Sequence, residues 1–546
     1  MRFLFLFCSS RRWAVGLFLG LLAVLGVAFT PDYGMGWDEP AERLNALVSA
    51  KYVALRLAPE LVRHQPRLAD IPDLRQHRDA DHGVLFLLPL VAAEARWPAD
   101  PAVWARRRHL VGFLLFVAGA WAVYRLGALL LGSWRGGLAG AGLLVLSPRL
   151  FAEAFYNYKD VVFLSLFALA MLTLLRLLRR PTAGRALWHA VATAAAIDVR
   201  AMGVLLPVLT LGFAALEMAY RPVRRRGFAG ALGLYVPVLA GLVVLGWPYL
   251  WDNPVRYLGA ALGSFGHYAK AMDVFYLGRF VAVRALPWHY VPVWLLITTP
   301  VPCVVLFGVG LLELLRAGWA AGPAGWLRRS NSRRYLLVLA WLGGPVVGVI
   351  GLHSVVYDGW RHLYFIYPAF LLVAGLGLQR LWQAWRRGRR AGAPLAMRAR
   401  GLVSLLLLLA LALGMARVAW RMGAEHPFQY AYFSFLPGRV IEQNFERDYW
   451  GLSVKQGLEW VLAHDARRTV PVSMDARTEM TLRINAKMLP PAARARLRLV
   501  PADSAAGGYF LSIYRWHPGA YPARTGRPVH TIRGGGAAIL GVWRRP

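Results

Sequence analysis

The sequence predicts an all-α polytopic membrane bundle of about eleven transmembrane helices carrying a small C-terminal extracytoplasmic α/β domain, and three observations lead there. Hydrophobic residues make up 58% of the 546, with a mean hydropathy of +0.43, which is too apolar for one soluble core of that length. Apolar runs recur at 13–29, 109–131, 228–247, 290–314, 335–352, 364–383 and 401–420, and runs of about twenty such residues cross about 30 Å of hydrocarbon. The charge is placed as a membrane protein places it. A net charge of +35 would suggest nucleic acid in a soluble chain, but the arginines cluster between the apolar runs: Arg11 and Arg12, then Arg176, Arg179, Arg180 and Arg185, then Arg221 and 224–226, then Arg328, Arg329, Arg333 and Arg334, and last Arg386, Arg387, Arg389 and Arg390. With a cytoplasmic N-terminus every cluster falls in an inner loop, as the positive-inside rule requires. The charge therefore records topology, and nucleic acid is not expected as a partner.

The opening segment is basic and then apolar, but no small-x-small cleavage pattern precedes Thr30-Pro31, so it is read as an uncleaved first helix. An outer loop with interfacial helices follows over 30–108. Its apolar part, 82–97, is short and contains Pro89 and Glu94. Counting it as a span would place every arginine cluster outside, so it is read as lying along the outer interface. The transmembrane part thus covers 1–420. After about Arg421 the pattern changes to short alternating segments at 509–514 and 537–543, a helical stretch near 454–464 and a turn at 533–536, so 421–546 reads as a periplasmic α/β domain. An odd number of spans puts the N-terminus on the cytoplasmic side and the C-terminus on the outer side. Cys8 and Cys303 both sit in or beside apolar segments and support neither a disulfide framework nor a thiolate metal site.

On this topology the outer face collects the chemistry. Tyr33-Gly-Met-Gly-Trp-Asp-Glu-Pro40 leaves the first span and sets Trp37, Asp38 and Glu39 just above the membrane. A carboxylate there can serve as general base toward a hydroxyl or bind a metal, or the pair can simply be solvated. Phe155-Tyr-Asn-Tyr-Lys-Asp-Val-Val162 brings two apolar runs together around Lys159 and Asp160 in a chain where lysine is scarce. The ammonium suits a phosphate, and Tyr156 and Tyr158 suit an isoprenoid or sugar ring, with a snorkelling lysine in an aromatic belt as the plain alternative. Asp198-Val-Arg200 and Tyr357-Asp-Gly-Trp-Arg-His-Leu-Tyr364 open on the same side. Arg200, Arg361 and His362 can neutralise a lipid phosphate through forked hydrogen bonds, and Tyr357 and Asp358 flank them, although Asp198 with Arg200 also reads as a structural ion pair. Trp288 and His289 in Leu286-Pro-Trp-His-Tyr290, with Trp247 to Pro254, add aromatic surface for sugars or prenyl chains.

Gly36-Trp37-Asp38-Glu39, Ser147-Pro148 with 155–160, Leu286-Pro-Trp-His-Tyr290 running into Thr299-Pro300, and 358–368 together resemble the GT-C superfamily of membrane glycosyltransferases. The nearest resemblance is to the glycosyltransferase 39 or protein O-mannosyltransferase family and the aminoarabinose transferases of lipid A. It covers about 13–420, with Asp448-Tyr-Trp-Gly451 beyond. The resemblance implies an inverting transfer of a sugar from a polyprenyl-phosphate donor to an extracytoplasmic acceptor, which is a glycan, lipid or protein. Asp38 acts as base, with Glu39 and Asp160 in the catalytic set and Lys159, Arg200, Arg361 and His362 toward the donor phosphate. Membrane lipid is a further partner. The chain departs from the mannosyltransferases in showing no large inserted luminal domain. No ligand spacing marks a metal site, and a divalent cation, magnesium or manganese, stays open because the superfamily includes both kinds. Two alternatives differ in class: an assembly or scaffold protein of envelope glycan synthesis, and a lipid-linked sugar transporter, which would want polar groups through the whole bilayer.

Overall fold

Eleven helical segments follow one another before the chain turns to sheet, in a computed structural model that describes residues 2–60, 68–97, 99–266, 272–504, 507–519, 521 and 527–545. Parts of the two long outer stretches read from sequence, 61–67 and 267–271, lie outside the described residues. The helices are α1 (Arg2–Phe29), α2 (Glu39–Leu57), α3 (Leu88–Arg96), α4 (Pro101–Leu131), α5 (Trp134–Val145), α6 (Pro148–Tyr156), α7 (Asp160–Arg179), α8 (Ala183–Ile197), α9 (Leu205–Tyr220), α10 (Arg225–Gly246) and α11 (Pro254–Gly266). A short hairpin, β1 (Asp273–Tyr276) with β2 (Arg279–Ala282), leads to α12 (Tyr290–Thr298), α13 (Val301–Arg328), α14 (Ser330–Gly351), α15 (Tyr367–Gly388) and α16 (Leu395–Ala424).

Among the described residues nine helices are long and apolar enough to cross a membrane, or ten when α5 and α6, bent by 69°, count as one span. The count expected from sequence was about eleven, and the remaining segment is α8. Its 15 residues rise about 22 Å at 1.5 Å each, short of the hydrocarbon thickness. Two boundaries also move. The second span starts at Pro101, with Asp100 accepting from the Ala102 amide at 2.9 Å as N-cap, so 101–108 of the expected outer loop is helical. The 290–314 run is two helices, because Thr299-Pro300 denies the ladder a donor and forces extended backbone before it. The α5–α6 bend falls at Ser147-Pro148 for the same reason. Helix α3 has nine residues and cannot cross; it packs through Val91 in one cluster with Ala46 and Tyr158.

The spans α4, α7 and α15 are the most buried and form the centre of the bundle. Helices α13 and α15 approach to backbone contact: a Cβ on Gly310 would lie 2.0 Å from the Val373 carbonyl oxygen, and one on Gly377 2.1 Å from that of Leu306. Small residues at such crossings let dispersion between backbones replace the missing hydrophobic drive.

Beyond α16 the chain forms α17 (Gly438–Asn444), α18 (Ser453–His464) and α19 (Glu479–Ala486), with a mixed sheet of β3 (Val470–Met474), β4 (Leu497–Leu499), β5 (Gly508–Ser512), β6 (His530–Gly534) and β7 (Ala537–Arg545). The order is β4-β3-β5-β7-β6: β3 runs parallel to β4 and β5, and β7 antiparallel to β5 and β6. Gly457 on α18 faces the sheet side chains Leu540 and Leu511. Asp448 holds the turn ahead of α18 to the segment that follows α16. Its carboxylate accepts from the amides of Gly451 (2.7 Å) and Ser453 (3.1 Å), from the Ser453 hydroxyl (2.5 Å) and from the Tyr430 hydroxyl (3.0 Å).

Candidate active site

Three turns at one end of the bundle and one loop of the sheet layer meet around the guanidinium of Arg361. Asp38 is the residue before α2, where Pro40 sets the first turn, and Asp160 opens α7. Arg361 begins the 3-10 turn Arg361–Ile366 ahead of α15. Its Nη1 donates to Asp38 Oδ2 at 2.8 Å and to Asp160 Oδ2 at 3.4 Å, and Nη2 pairs with Asp358 Oδ2 at 3.1 Å. Asp160 also pairs with Arg200, and Asn157 Nδ2 donates to it at 3.1 Å. Above the cluster, the Arg361 carbon Cζ lies 5.0 Å from the ring centres of both Tyr357 and Trp450, stacking that suits a planar cation. Exposure separates the three acids: the Asp38 side chain is 35% exposed, Asp160 1% and Asp358 8%. Asp38 is the carboxylate a second molecule can reach.

The tail supplies what the sequence reading did not name. Arg515 donates through Nη2 to Asp358 Oδ1 at 2.5 Å and through Nη1 to the Tyr449 carbonyl at 2.6 Å, and its Cζ lies 5.9 Å from the Trp37 ring. Tyr514 before it and Asp358 both take positive φ, 58° and 56°, which costs a side chain energy and fixes the two loops toward each other. The Trp37 amide donates to the Trp450 carbonyl at 3.1 Å. Glu446 is buried nearby, and neither of its carboxylate oxygens makes a hydrogen bond. Four buried N–H groups of the cluster, Nε of Arg200, Arg361 and Arg515 and Nε1 of Trp450, also have no acceptor. No motif marks Arg515 or Glu446 in the sequence, although Asp358-Gly359 is a recognisable turn pair.

Several expected site residues take other roles. Glu39 is buried and points inward, accepting from the Gly36 amide at 2.7 Å, the Tyr158 hydroxyl at 2.5 Å and facing His109 Nε2 at 3.1 Å; it holds the Asp38 loop in place. Tyr158 is thereby engaged, and Tyr156 is buried against Tyr33, Tyr430 and Trp450, so both rings serve packing. Lys159 donates to Glu42 at 2.9 Å on the rim. The partner of Arg200 is Asp160; Asp198 is buried apart, against Gly246, where a Cβ would meet its Oδ2 at 2.2 Å. His362 is buried edge-on to Tyr357, ring centres 4.6 Å apart. Trp288 and His289 are not brought to the cluster. Trp288 lines a separate cavity of about 290 Å³ with Arg284 and His353, and His289 Nδ1 meets the Tyr276 hydroxyl at 2.7 Å. Asp448, capping α18, has no oxygen to spare for an acceptor.

Burial pushes Glu446 up to about 8, against the pull of Arg515 and with the push of Asp358. An acid whose native pKa stands above its ordinary 4.5 favours the folded state most when protonated, so that contribution is complete below about pH 4.5 and lost as pH rises toward about 8. Glu446→Gln, which keeps the neutral shape, is expected to unfold with the native chain near pH 5 and a few degrees above it near pH 8. Thermal unfolding in detergent across that range checks this; parallel curves for the two proteins would mean that Glu446 is charged in the fold.

The sequence matches no family model and no curated protein. Solved structures similar to the chain include ArnT from Cupriavidus metallidurans bound to undecaprenyl phosphate (13% identity, 96% of this chain and 97% of that one, TM-score 0.46) and the same protein in the apo state (13%, 98% and 98%, 0.48). The arabinofuranosyltransferase AftD from mycobacteria is similar at 17% identity over 84% of this chain and 29% of its own, with a TM-score of 0.38.

Proposed function

We propose that the chain is an inverting membrane glycosyltransferase that takes sugar from a polyprenyl-phosphate donor, with Asp38 as base. The observation that carries this is the single reachable carboxylate, Asp38, held 2.8 Å from an arginine whose neighbours Arg200 and Arg515 leave N–H donors buried without acceptors. A direct displacement needs that pairing: one base and one stabilised leaving group. The acceptor hydroxyl gives its proton to the Asp38 carboxylate while its own oxygen bonds to the anomeric carbon. The bond from that carbon to the phosphate oxygen breaks, and lipid phosphate leaves with the electron pair, facing Arg200 and Arg361. Lys159 on the rim lies on the phosphate's path, and Trp37 and Tyr357 flank the sugar. The end of the bundle bearing Asp38 is the periplasmic face of a bacterial inner membrane, the arginine-rich end the cytoplasmic one.

In this reading the reaction works without a divalent cation. Around Asp38, Asp160 and Asp358 the guanidinium of Arg361 already holds the centre, and among the described residues no group of three His, Cys, Asp or Glu is placed to hold a metal. No step is routed through one.

The test is donor choice. Membranes carrying the native chain are expected to transfer label from one of a panel of radiolabelled polyprenyl-phosphate sugars to an endogenous acceptor. Transfer from nucleotide sugars with none from any lipid donor would reject the reading.

A further inference from the structure

The end of the bundle opposite Asp38 contains a cavity of about 550 Å³ lined by nine arginines and one acid, Glu217. Helix α7 connects the two places: Asp160 at its start belongs to the cluster above, and Arg176 and Arg179 at its end line this cavity, 20 residues or about 30 Å away. The arginines come from the ends of α4 and α7, the start of α8, the turn after α9 and the start of α14. Glu217 is already taken, since Arg333 donates to it through Nε at 2.8 Å and Nη2 at 3.0 Å, with Arg221 at 3.5 Å. Among the described residues none of the other seven arginines forms a salt bridge with a carboxylate; Arg185 and Arg224 donate to backbone carbonyls, Arg185 Nη1 to Arg176 O at 2.8 Å and Arg224 Nη1 to Arg179 O at 2.7 Å.

Arginines in a cytoplasmic loop are ordinary when they splay into water. Here Arg125, Arg176, Arg185, Arg224 and Arg334 are each only half exposed and turned into one concavity, with Leu129, Leu175 and Phe213 in the same wall. Like charges drawn together and partly out of water are held at an electrostatic cost that an anion removes. The guanidinium fork matches phosphate oxygens in pairs, and basic pockets between spans with apolar walls suit phosphate-bearing headgroups. We infer that this cavity is a binding site for an anion carrying two or more phosphate charges, separate from the Asp38 site. Its source is either a lipid headgroup with two phosphates in the leaflet at that end or a free diphosphate.

The test uses the full chain purified in a non-ionic detergent, titrated with cardiolipin, with phosphatidylcholine or with inorganic pyrophosphate, and read by native mass spectrometry. The comparison is the variant Arg176→Gln, Arg179→Gln, Arg334→Gln, which spares the Glu217–Arg333 pair. Cardiolipin binding that is at least tenfold weaker in the variant, with phosphatidylcholine unchanged, supports the site with a lipid ligand. The same loss for pyrophosphate without cardiolipin binding supports it with a soluble one. No binding of either probe, or equal binding by both proteins, overturns it. If the triple variant does not fold, Arg334→Gln alone is expected to weaken binding about threefold or more, and equal binding there overturns the proposal equally.

Discussion

Asp38→Asn is expected to lower the rate of sugar transfer by about a hundredfold to ten-thousandfold, the range that removal of a general base produces, with little change in donor binding. Asparagine fills the same volume and its side-chain oxygen can still accept from Arg361 Nη1, so the 2.8 Å contact and the loop survive. What it cannot do is take the acceptor's proton. A side chain 35% exposed is also already partly in water, so the substitution costs the fold little. Those facts separate two roles for Asp38. If the residue only neutralised Arg361, asparagine would keep most of the activity, and a loss of tenfold or less with raised donor KM would point there. Single-turnover transfer in detergent, with saturating donor and matched protein amounts, reads kcat apart from KM and decides between them.

How far this site was legible from sequence follows from what isolates a residue. Asp38 and Arg361 stand out because each charge sits at the mouth of an apolar span, where an unneeded charge is costly. The pairing of Asp160 with Arg200 did not, because Asp198 is two residues from Arg200 and the sequence carries no sign that it faces Gly246 instead. Tyr156 and Tyr158 were read as ligand-facing because an aromatic belt and an aromatic core have the same composition, and only burial tells them apart. Arg515 lies 157 residues from its partner Asp358, on a loop of a sheet with no periodic link to the bundle. The break of the 290–314 run, by contrast, was written in Thr299-Pro300, and hydropathy alone carried the reading past it.

Arg361→Gln is expected to abolish transfer to about a thousandth of the native rate or less while leaving the protein folded, and the asymmetry comes from who else holds each acid. Asp160 keeps Arg200, and Asp358 keeps Arg515. Asp38 loses the guanidinium 2.8 Å from it, and it is the most exposed acid of the three. The stability loss is therefore that of charged hydrogen bonds exchanged for water, about 1–3 kcal/mol, rather than that of an uncompensated buried charge, about 3–5 kcal/mol. The chemical loss is larger because two functions go together. The leaving phosphate loses a preorganised donor, typically about a hundredfold to a thousandfold, and Asp38 loses the contact that orients it. Arg361→Lys sharpens the test. One ammonium carries the charge but cannot reach three carboxylates and stack between Tyr357 and Trp450 as a planar fork does, so it should restore most of the thermal stability and little of the rate. Recovery of transfer by lysine would reduce Arg361 to a point charge, and collapse of the fold in both variants would make the cluster a structural keystone instead of a site for chemistry.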